Sequence, residues 1–94
     1  MLHIEPGHLV IVQMILKKYP YNFYVFGSRA KGGTKKLSDL DLCYFDSISM
    51  KELIQLEDDF LESTLPYKVD LVNWHQCSDE FQSLIKQDMI LLPK

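Results

Sequence analysis

Apolar residues recur along this chain with helical spacing in some segments and as short strand-like runs in others. The predicted elements are, in order, a helix over residues 6–18, strands over 23–26 and 39–44, a helix over 50–63, a strand over 68–74 and a helix that begins after Ser78. We expect a fold of the α/β (α+β) class, with helices packed on one face of a small mixed β-sheet and the other face open. The apolar tail 89–92 is either a short strand or part of a partner interface.

The second long helix has the clearest start signal. Ser49 and Glu52 form a capping-box pattern, in which the serine accepts from a backbone N–H group and the glutamate reaches back. The apolar side chains that follow at helical spacing are expected in the core rather than in a ligand groove. They are Leu53, Leu56 and Phe60, with Ile54 and Leu61 beside them.

A pair of carboxylates lies on the second predicted strand. Side chains at i and i+2 leave a strand on the same face, roughly 6 to 7 Å apart, so Asp39 and Asp41 point together. Leu40, Leu42 and Tyr44 face the other way and mark the core side. The aspartate pair repels itself, and a hard divalent cation such as Mg²⁺ removes the repulsion. Two such ions about 3.5 to 4 Å apart could activate an attacking hydroxyl and stabilise a leaving pyrophosphate.

A glycine-serine turn precedes these carboxylates. Ten residues separate Gly27-Ser28 from Asp39, and the strand 23–26 ends just before the turn. Glycine lets the backbone approach a ligand closely, and a helix start after it presents free N–H groups to a phosphate. Alone, Asp-x-Asp is more often a solvated strand face or a helix cap, but this turn at this spacing favours a nucleotide site.

A third carboxylate, Asp70, lies in the middle of the apolar run 68–74. Aspartate is disfavoured in strands and costly to bury without a partner. An ion pair with a nearby lysine would be the structural explanation. We favour a metal ligand, which could also accept a proton from the attacking hydroxyl. Asp39, Asp41 and Asp70 are therefore the predicted catalytic and metal-binding residues.

The segments FYVFGSRAKG, SDLDL and VDLV resemble the minimal nucleotidyltransferases (MNT proteins) of the DNA polymerase β-type nucleotidyltransferase superfamily. The similarity extends over most of the chain. The resemblance implies that Gly27, Ser28 and Arg29 bind the nucleotide and that the three aspartates bind two Mg²⁺ ions on the open face of the sheet, with ATP as the substrate. The chain departs from the family pattern at Lys31, where many relatives carry arginine, and at the doubled Gly32-Gly33.

The same resemblance implies a biological role. Many such proteins are antitoxins encoded beside a HEPN-domain ribonuclease toxin, and they resemble enzymes that transfer AMP from ATP to a tyrosine of that toxin. The expected partner is thus a HEPN-domain toxin in a hetero-oligomer. Two alternatives stay open: nucleotidyl transfer to a small molecule or an RNA end, and a non-catalytic subunit that neutralises its partner by occlusion.

Composition narrows the remaining classes. Ninety-four residues make one domain, 1–94, with room for a single core. The net charge is −3, yet four positive charges fall in one loop, at Arg29, Lys31, Lys35 and Lys36. Such a loop suits one triphosphate, whereas a long nucleic acid needs a broad basic face and is not expected as a ligand. No segment approaches the roughly 20 apolar residues of a membrane span, and the start lacks a secretory signal, so we expect a cytoplasmic protein without membrane contact.

Overall fold

Four α-helices and four short strands form the part of the chain that the computed structural model describes, residues 2–94. The helices are α1 (Pro6–Leu16), α2 (Ser28–Lys31), α3 (Met50–Leu61) and α4 (Asp79–Lys86). The strands are β1 (Tyr24–Phe26), β2 (Leu40–Tyr44), β3 (Val69–Asn73) and β4 (Ile90–Leu91). The predicted helices and strands are all present, and their ends agree to within two residues. None of the helices in residues 2–94 is long and apolar enough to cross a membrane.

The strands form one mixed sheet in the order β3-β2-β1-β4. Strand β2 pairs antiparallel with β1 and parallel with β3, and α3 connects the two parallel strands. The apolar tail settles as strand β4, antiparallel to β1, and the N–H of Leu92 extends this pairing by donating to the carbonyl of Phe23 at 2.9 Å. The mixed α/β architecture predicted from the sequence is therefore confirmed.

The main core lies between one face of the sheet and helices α1 and α3. The strand side chains on this face are Val25, Leu40, Leu42 and Tyr44, and all are buried. The alternation predicted this for the three residues of β2. From the helices, Val12, Leu16, Leu56 and Phe60 pack against them. Full burial of one such aliphatic or aromatic side chain contributes roughly 1.5–3 kcal/mol to stability, so this layer stabilises the packing of the sheet against both helices.

The opposite face of the sheet is only partly open. Phe26 and Cys43 face this way, and Ile85 of α4 packs on them in a second, smaller cluster. The edge of the Phe81 ring also meets Phe26, with 6.0 Å between ring centroids. Helix α4 thus covers one part of the face that was expected to be free of helices, and the rest stays accessible.

Helix α3 begins as predicted, but its apolar face is narrower than predicted. The Ser49 side chain accepts from the Glu52 N–H at 3.2 Å, which confirms the N-cap. Leu56 and Phe60 are buried, whereas Ile54 is 59% and Leu61 81% exposed. The assignment of these last two to the core was wrong, because each lies about 100° around the helix from its apolar neighbour.

A carboxylate on α3 ties this helix to the end of α1. Asp59 accepts a hydrogen bond from the Tyr19 hydroxyl at 2.6 Å and forms an ion pair with Lys18 at 3.0 Å. Its side chain is only 13% exposed. The hydrogen bond from Tyr19, with help from Lys18, lowers the pKa of Asp59. Ionised Asp59 therefore stabilises the folded chain.

Asp59→Asn is expected to lower the free energy of unfolding by about 1–2 kcal/mol at pH 7, because a charge-assisted hydrogen bond becomes a neutral one. A lowered pKa in the folded state gives stability that is present above the ordinary aspartate value of 3.8 and is lost as the pH falls below it. Urea unfolding should show a smaller difference at pH 3 than at pH 7. Asp58→Asn, one residue earlier and exposed, is the control and should change little at either pH.

Candidate active site

The register of the two parallel strands places two of the predicted aspartates side by side. Asp41 of β2 pairs directly with Asp70 of β3. Residues in register on neighbouring strands point to the same face, and neighbouring strands lie about 4.8 Å apart. Both side chains are half-buried. Asp70 therefore joins Asp41 on the face away from the main core.

Asp39 occupies the same side, at the entrance to β2. It lies two residues before Asp41, just outside the strand, and is exposed. Its charge reaches Asp41, because it contributes to raising the pKa of that carboxyl. All three predicted carboxylates thus lie at one end of one face, where β2 and β3 begin and β1 ends.

The glycine-serine turn borders this carboxylate group. Gly27 has φ +73°, in the left-handed region that favours glycine, and it leads directly into helix α2 at Ser28. A Cβ built on Gly27 would lie 2.6 Å from Oδ2 of Asp41. Only a residue without a side chain lets the backbone pass so close to this carboxylate. The free N–H groups at the start of α2 therefore lie next to the aspartates.

The pKa of Asp41 is raised above its ordinary value. Burial is the main cause of its raised pKa, followed by the charges of Asp70 and Asp39, while Arg29 acts in the opposite direction. A carboxyl group whose pKa is raised by burial and by neighbouring like charges is typical of a functional site. A bound divalent cation would reverse this effect, because it would neutralise all three carboxylates at once.

The three donors suit Mg²⁺ in chemistry, but their side chains are not gathered around one point. Within residues 2–94, no three His, Cys, Asp or Glu side chains stand in an arrangement that could hold a metal ion. Asp41 leans toward Gly27, and Asp70 toward Lys68, whose Nζ lies 3.1 Å from Oδ1 of Asp70. The ion pair that was the structural explanation for Asp70 is therefore present, on the same face as the other carboxylates.

Arg29 is buried beneath the loop rather than extended into the site. Only 4% of it is exposed, and its guanidinium lies 3.9 Å from the centre of the Tyr67 ring. Nε and Nη2 donate to the carbonyl of Ser38 at 3.1 and 2.6 Å, and Nη1 donates to the carbonyl of His3 at 3.1 Å. Because Ser38 directly precedes Asp39, Arg29 positions the loop that carries the first carboxylate. Its contact with a nucleotide stays a prediction.

Arg29→Lys is expected to lower the free energy of unfolding by about 2–3 kcal/mol. The Lys ammonium cannot reproduce the planar, forked donor geometry of the guanidinium, so the partly buried carbonyls of His3 and Ser38 lose donors. The loop before Asp39 would loosen, and we expect nucleotide transfer to fall about tenfold. Denaturant unfolding and transfer kinetics measure the two effects. Lys31→Met, which removes an exposed charge from the same helix, should leave the stability unchanged within about 0.5 kcal/mol.

Three of the four basic residues of the loop border one pocket. Arg29 is buried, whereas Lys31, Lys35 and Lys36 are exposed. Arg29, Lys35 and Lys36 line a shallow pocket of about 440 Å³ together with residues of the N-terminal segment, and none of the three aspartates borders it. These positive charges therefore gather beside the N-terminal segment rather than among the aspartates, and their binding of a triphosphate stays a prediction.

Comparison with known proteins identifies the family. Residues 11–94 match the family described as polymerase beta, nucleotidyltransferase. The chain belongs to this family. A protein of Haemophilus influenzae named "Probable protein adenylyltransferase MntA" is 37% identical over 95 residues, covering 97% of this chain and 83% of that protein. The chain is thus a nucleotidyltransferase, as its motifs predicted.

Solved structures confirm the nucleotidyltransferase fold. The match to a crystal structure of a toxin–antitoxin with AMP-PNP covers 90% of this chain and 72% of the matched chain, with a TM-score of 0.68 and 23% sequence identity. The match to a mutant of the toxin–antitoxin MntA–HpeT covers 90% of this chain and 71% of the matched chain, with a TM-score of 0.61 and 19% sequence identity. At these identities the likeness establishes the fold alone.

Two contributors to the site were not predicted from the sequence. Lys68 lies two residues before Asp70, so the i, i+2 rule could have placed it on the same face. The contact of the Tyr67 ring with the Arg29 guanidinium could not be predicted from the sequence pattern, because the two residues are 38 positions apart. Local periodicity therefore finds partners on one strand but not partners brought together by the fold.

Proposed function

We propose that this nucleotidyltransferase transfers AMP from ATP to a tyrosine hydroxyl of a HEPN-domain toxin and thereby acts as its antitoxin. One observation carries the proposal: Asp41 and Asp70 are paired in register on one face, beside the Gly27 turn. The name of the Haemophilus influenzae relative and the toxin–antitoxin structures of the same fold support the choice of a protein acceptor. We further expect a hetero-oligomer with the toxin, and the cytoplasmic location stays a prediction.

Each site residue has a role in this proposal. Gly27 and Ser28 hold the triphosphate through the backbone of the turn and the serine hydroxyl. Asp39, Asp41 and Asp70 would hold Mg²⁺, which supplies charge neutralisation at the phosphates and activates the acceptor hydroxyl. Asp70, on the edge strand β3, would accept the proton of that hydroxyl.

A protein acceptor would bring its own acceptor residue to the carboxylates. Transfer to a small molecule or an RNA end remains the alternative for the same chemistry.

ATP labelled at the α-phosphate or at the γ-phosphate distinguishes AMP transfer from phosphorylation. With the toxin encoded by the neighbouring gene as acceptor, label should enter the toxin only from the α position and only with a divalent cation present. EDTA should abolish the reaction. Label found on a small molecule or an RNA, with the toxin unlabelled, would favour the alternative acceptor.

Neutralisation by occlusion needs a separate test. The double change Asp39→Asn with Asp41→Asn should abolish labelling and also abolish protection of cells that express the toxin. Co-purification of the doubly changed protein with the toxin is the control for intact binding. If that protein still protects cells as well as the original, occlusion rather than AMP transfer neutralises the toxin.

A further inference from the structure

Lys68 places a positive charge inside the carboxylate group. Its Nζ lies 3.1 Å from Oδ1 of Asp70, and the two side chains are 71% and 36% exposed. The hydrogen bond to Asp70 raises the pKa of Lys68, and the charges of Asp70 and Asp39 add to this effect. The ammonium therefore lies in the field of two of the three predicted metal ligands.

The two central carboxylates share one face of the sheet but lie beside different neighbours. Asp41 leans toward the Gly27 turn on β1, whereas Asp70, its neighbour in register, leans toward Lys68 at the start of β3. The ammonium beside Asp70 favours the charged form of that carboxyl, whereas the like charge of Asp41 opposes it. A divalent cation bound to Asp70 would compete with the ammonium for the same carboxylate and would be repelled by it at close range.

We infer that Lys68 is an internal counter-ion of the site, which neutralises Asp70 in the metal-free protein and is displaced when a divalent cation binds. The inference rests on the proposed function, because it takes Asp70 as a metal ligand. Lys68 is a positioning residue and touches no reacting atom. Because the metal must displace it from Asp70, Lys68 weakens metal binding in the absence of nucleotide.

A second consequence concerns the nucleotide. Once displaced, the ammonium stays on the site face, where a triphosphate oxygen offers it a new partner. Binding of the metal and binding of the nucleotide then assist each other, and by linkage the effect is equal in both directions. Lys68 thus favours the joint arrival of metal and triphosphate over the metal alone.

Mn²⁺ titration of the full chain without nucleotide tests the inference. Lys68→Met should bind Mn²⁺ about two- to fivefold more tightly than the wild type, the range expected from a partly exposed ion pair. Lys68→Arg keeps the ion pair and should stay close to the wild type. Lys51→Met makes the same change of net charge on α3, which packs against the other face of the sheet, and should also stay close.

A second titration includes AMP-PNP. The gain in Mn²⁺ affinity that the nucleotide brings should be smaller for Lys68→Met than for the wild type, a readout that a merely structural role would not move. Because Lys68 is exposed, these variants should fold normally, as thermal unfolding can verify.

Three outcomes would overturn the inference. Lys68→Met could bind Mn²⁺ no more tightly than the wild type, or the Lys51→Met control could show the same gain, which would reduce the effect to net charge. In either case labelling of the toxin by the wild type would leave the proposed function intact. If instead the wild type and Asp41→Asn bind Mn²⁺ equally weakly, the carboxylates are not a metal site and both proposals fail.

Discussion

Asp41→Asn is expected to lower the rate of AMP transfer by about a thousandfold or more while making the metal-free protein more stable at pH 7. Mutation of the residues that hydrogen-bond to metal ligands already lowers metal affinity or activity by about 10- to 100-fold, so loss of a central ligand should lower activity further. The stability rises because Asp41 is held half-buried against Asp39 and Asp70, which raises its pKa.

The sign of the stability effect follows from that raised pKa. The folded chain holds the Asp41 proton more tightly than the unfolded chain, so ionisation lowers stability as the pH rises above the ordinary value of 3.8. Asparagine cannot ionise, and its advantage should appear at pH 7 and fade toward pH 3. Transfer kinetics and thermal unfolding in EDTA at both pH values measure the two effects. A variant that stays within tenfold of wild-type activity, or that melts earlier at pH 7, contradicts this account.

Gly27→Ala is the second change with a large expected effect. Alanine at φ +73° strains the backbone, and its Cβ would meet Oδ2 of Asp41 at 2.6 Å, so the turn or the carboxylate must move. We expect a loss of about 2–4 kcal/mol in the free energy of unfolding and a fall in transfer rate of about 100-fold or more. Denaturant unfolding and transfer kinetics check the two values.

Gly33→Ala separates strain from collision. Gly33 has nearly the same φ, +77°, but a Cβ there would meet nothing within 4 Å. Its alanine variant should lose only about 1–2 kcal/mol and keep nearly full activity. Equal losses of activity in the two variants would show that the contact between Gly27 and Asp41 has no part in catalysis.

Strand periodicity predicted more of the site than any other signal. It placed Asp39 and Asp41 together and set Leu40 and Leu42 toward the core, because alternation is a property of a single strand. It could not place Asp70 beside Asp41, since that neighbourhood depends on how β3 pairs with β2 after a crossover through α3. The shared face of Asp70 was an inference from the residue type and the family resemblance.

The burial of several side chains could not be predicted from the sequence. Carbonyls at His3 and Ser38 hold the Arg29 guanidinium beneath the surface, while its predicted contact with the nucleotide stays a prediction. Ile54 and Leu61 were assigned to the core because they adjoin buried positions, but α3 has one neighbouring layer and its outer side is exposed. In both cases burial depends on which segment packs alongside rather than on local pattern.

The parallel pairing of β2 with β3 means that the position of Asp70 beside Asp41 can change only in whole-residue steps. Since side chains alternate along a strand, a slip of β3 by one residue would turn Asp70 inward among the aliphatic side chains and bring Val69 or Leu71 out beside Asp41. No intermediate alignment exists, so insertions or deletions between Tyr44 and Val69 are tolerated only when the crossover absorbs them completely. Divergence in this segment can reshape its outer surface freely, but it cannot adjust the ligand geometry by degrees.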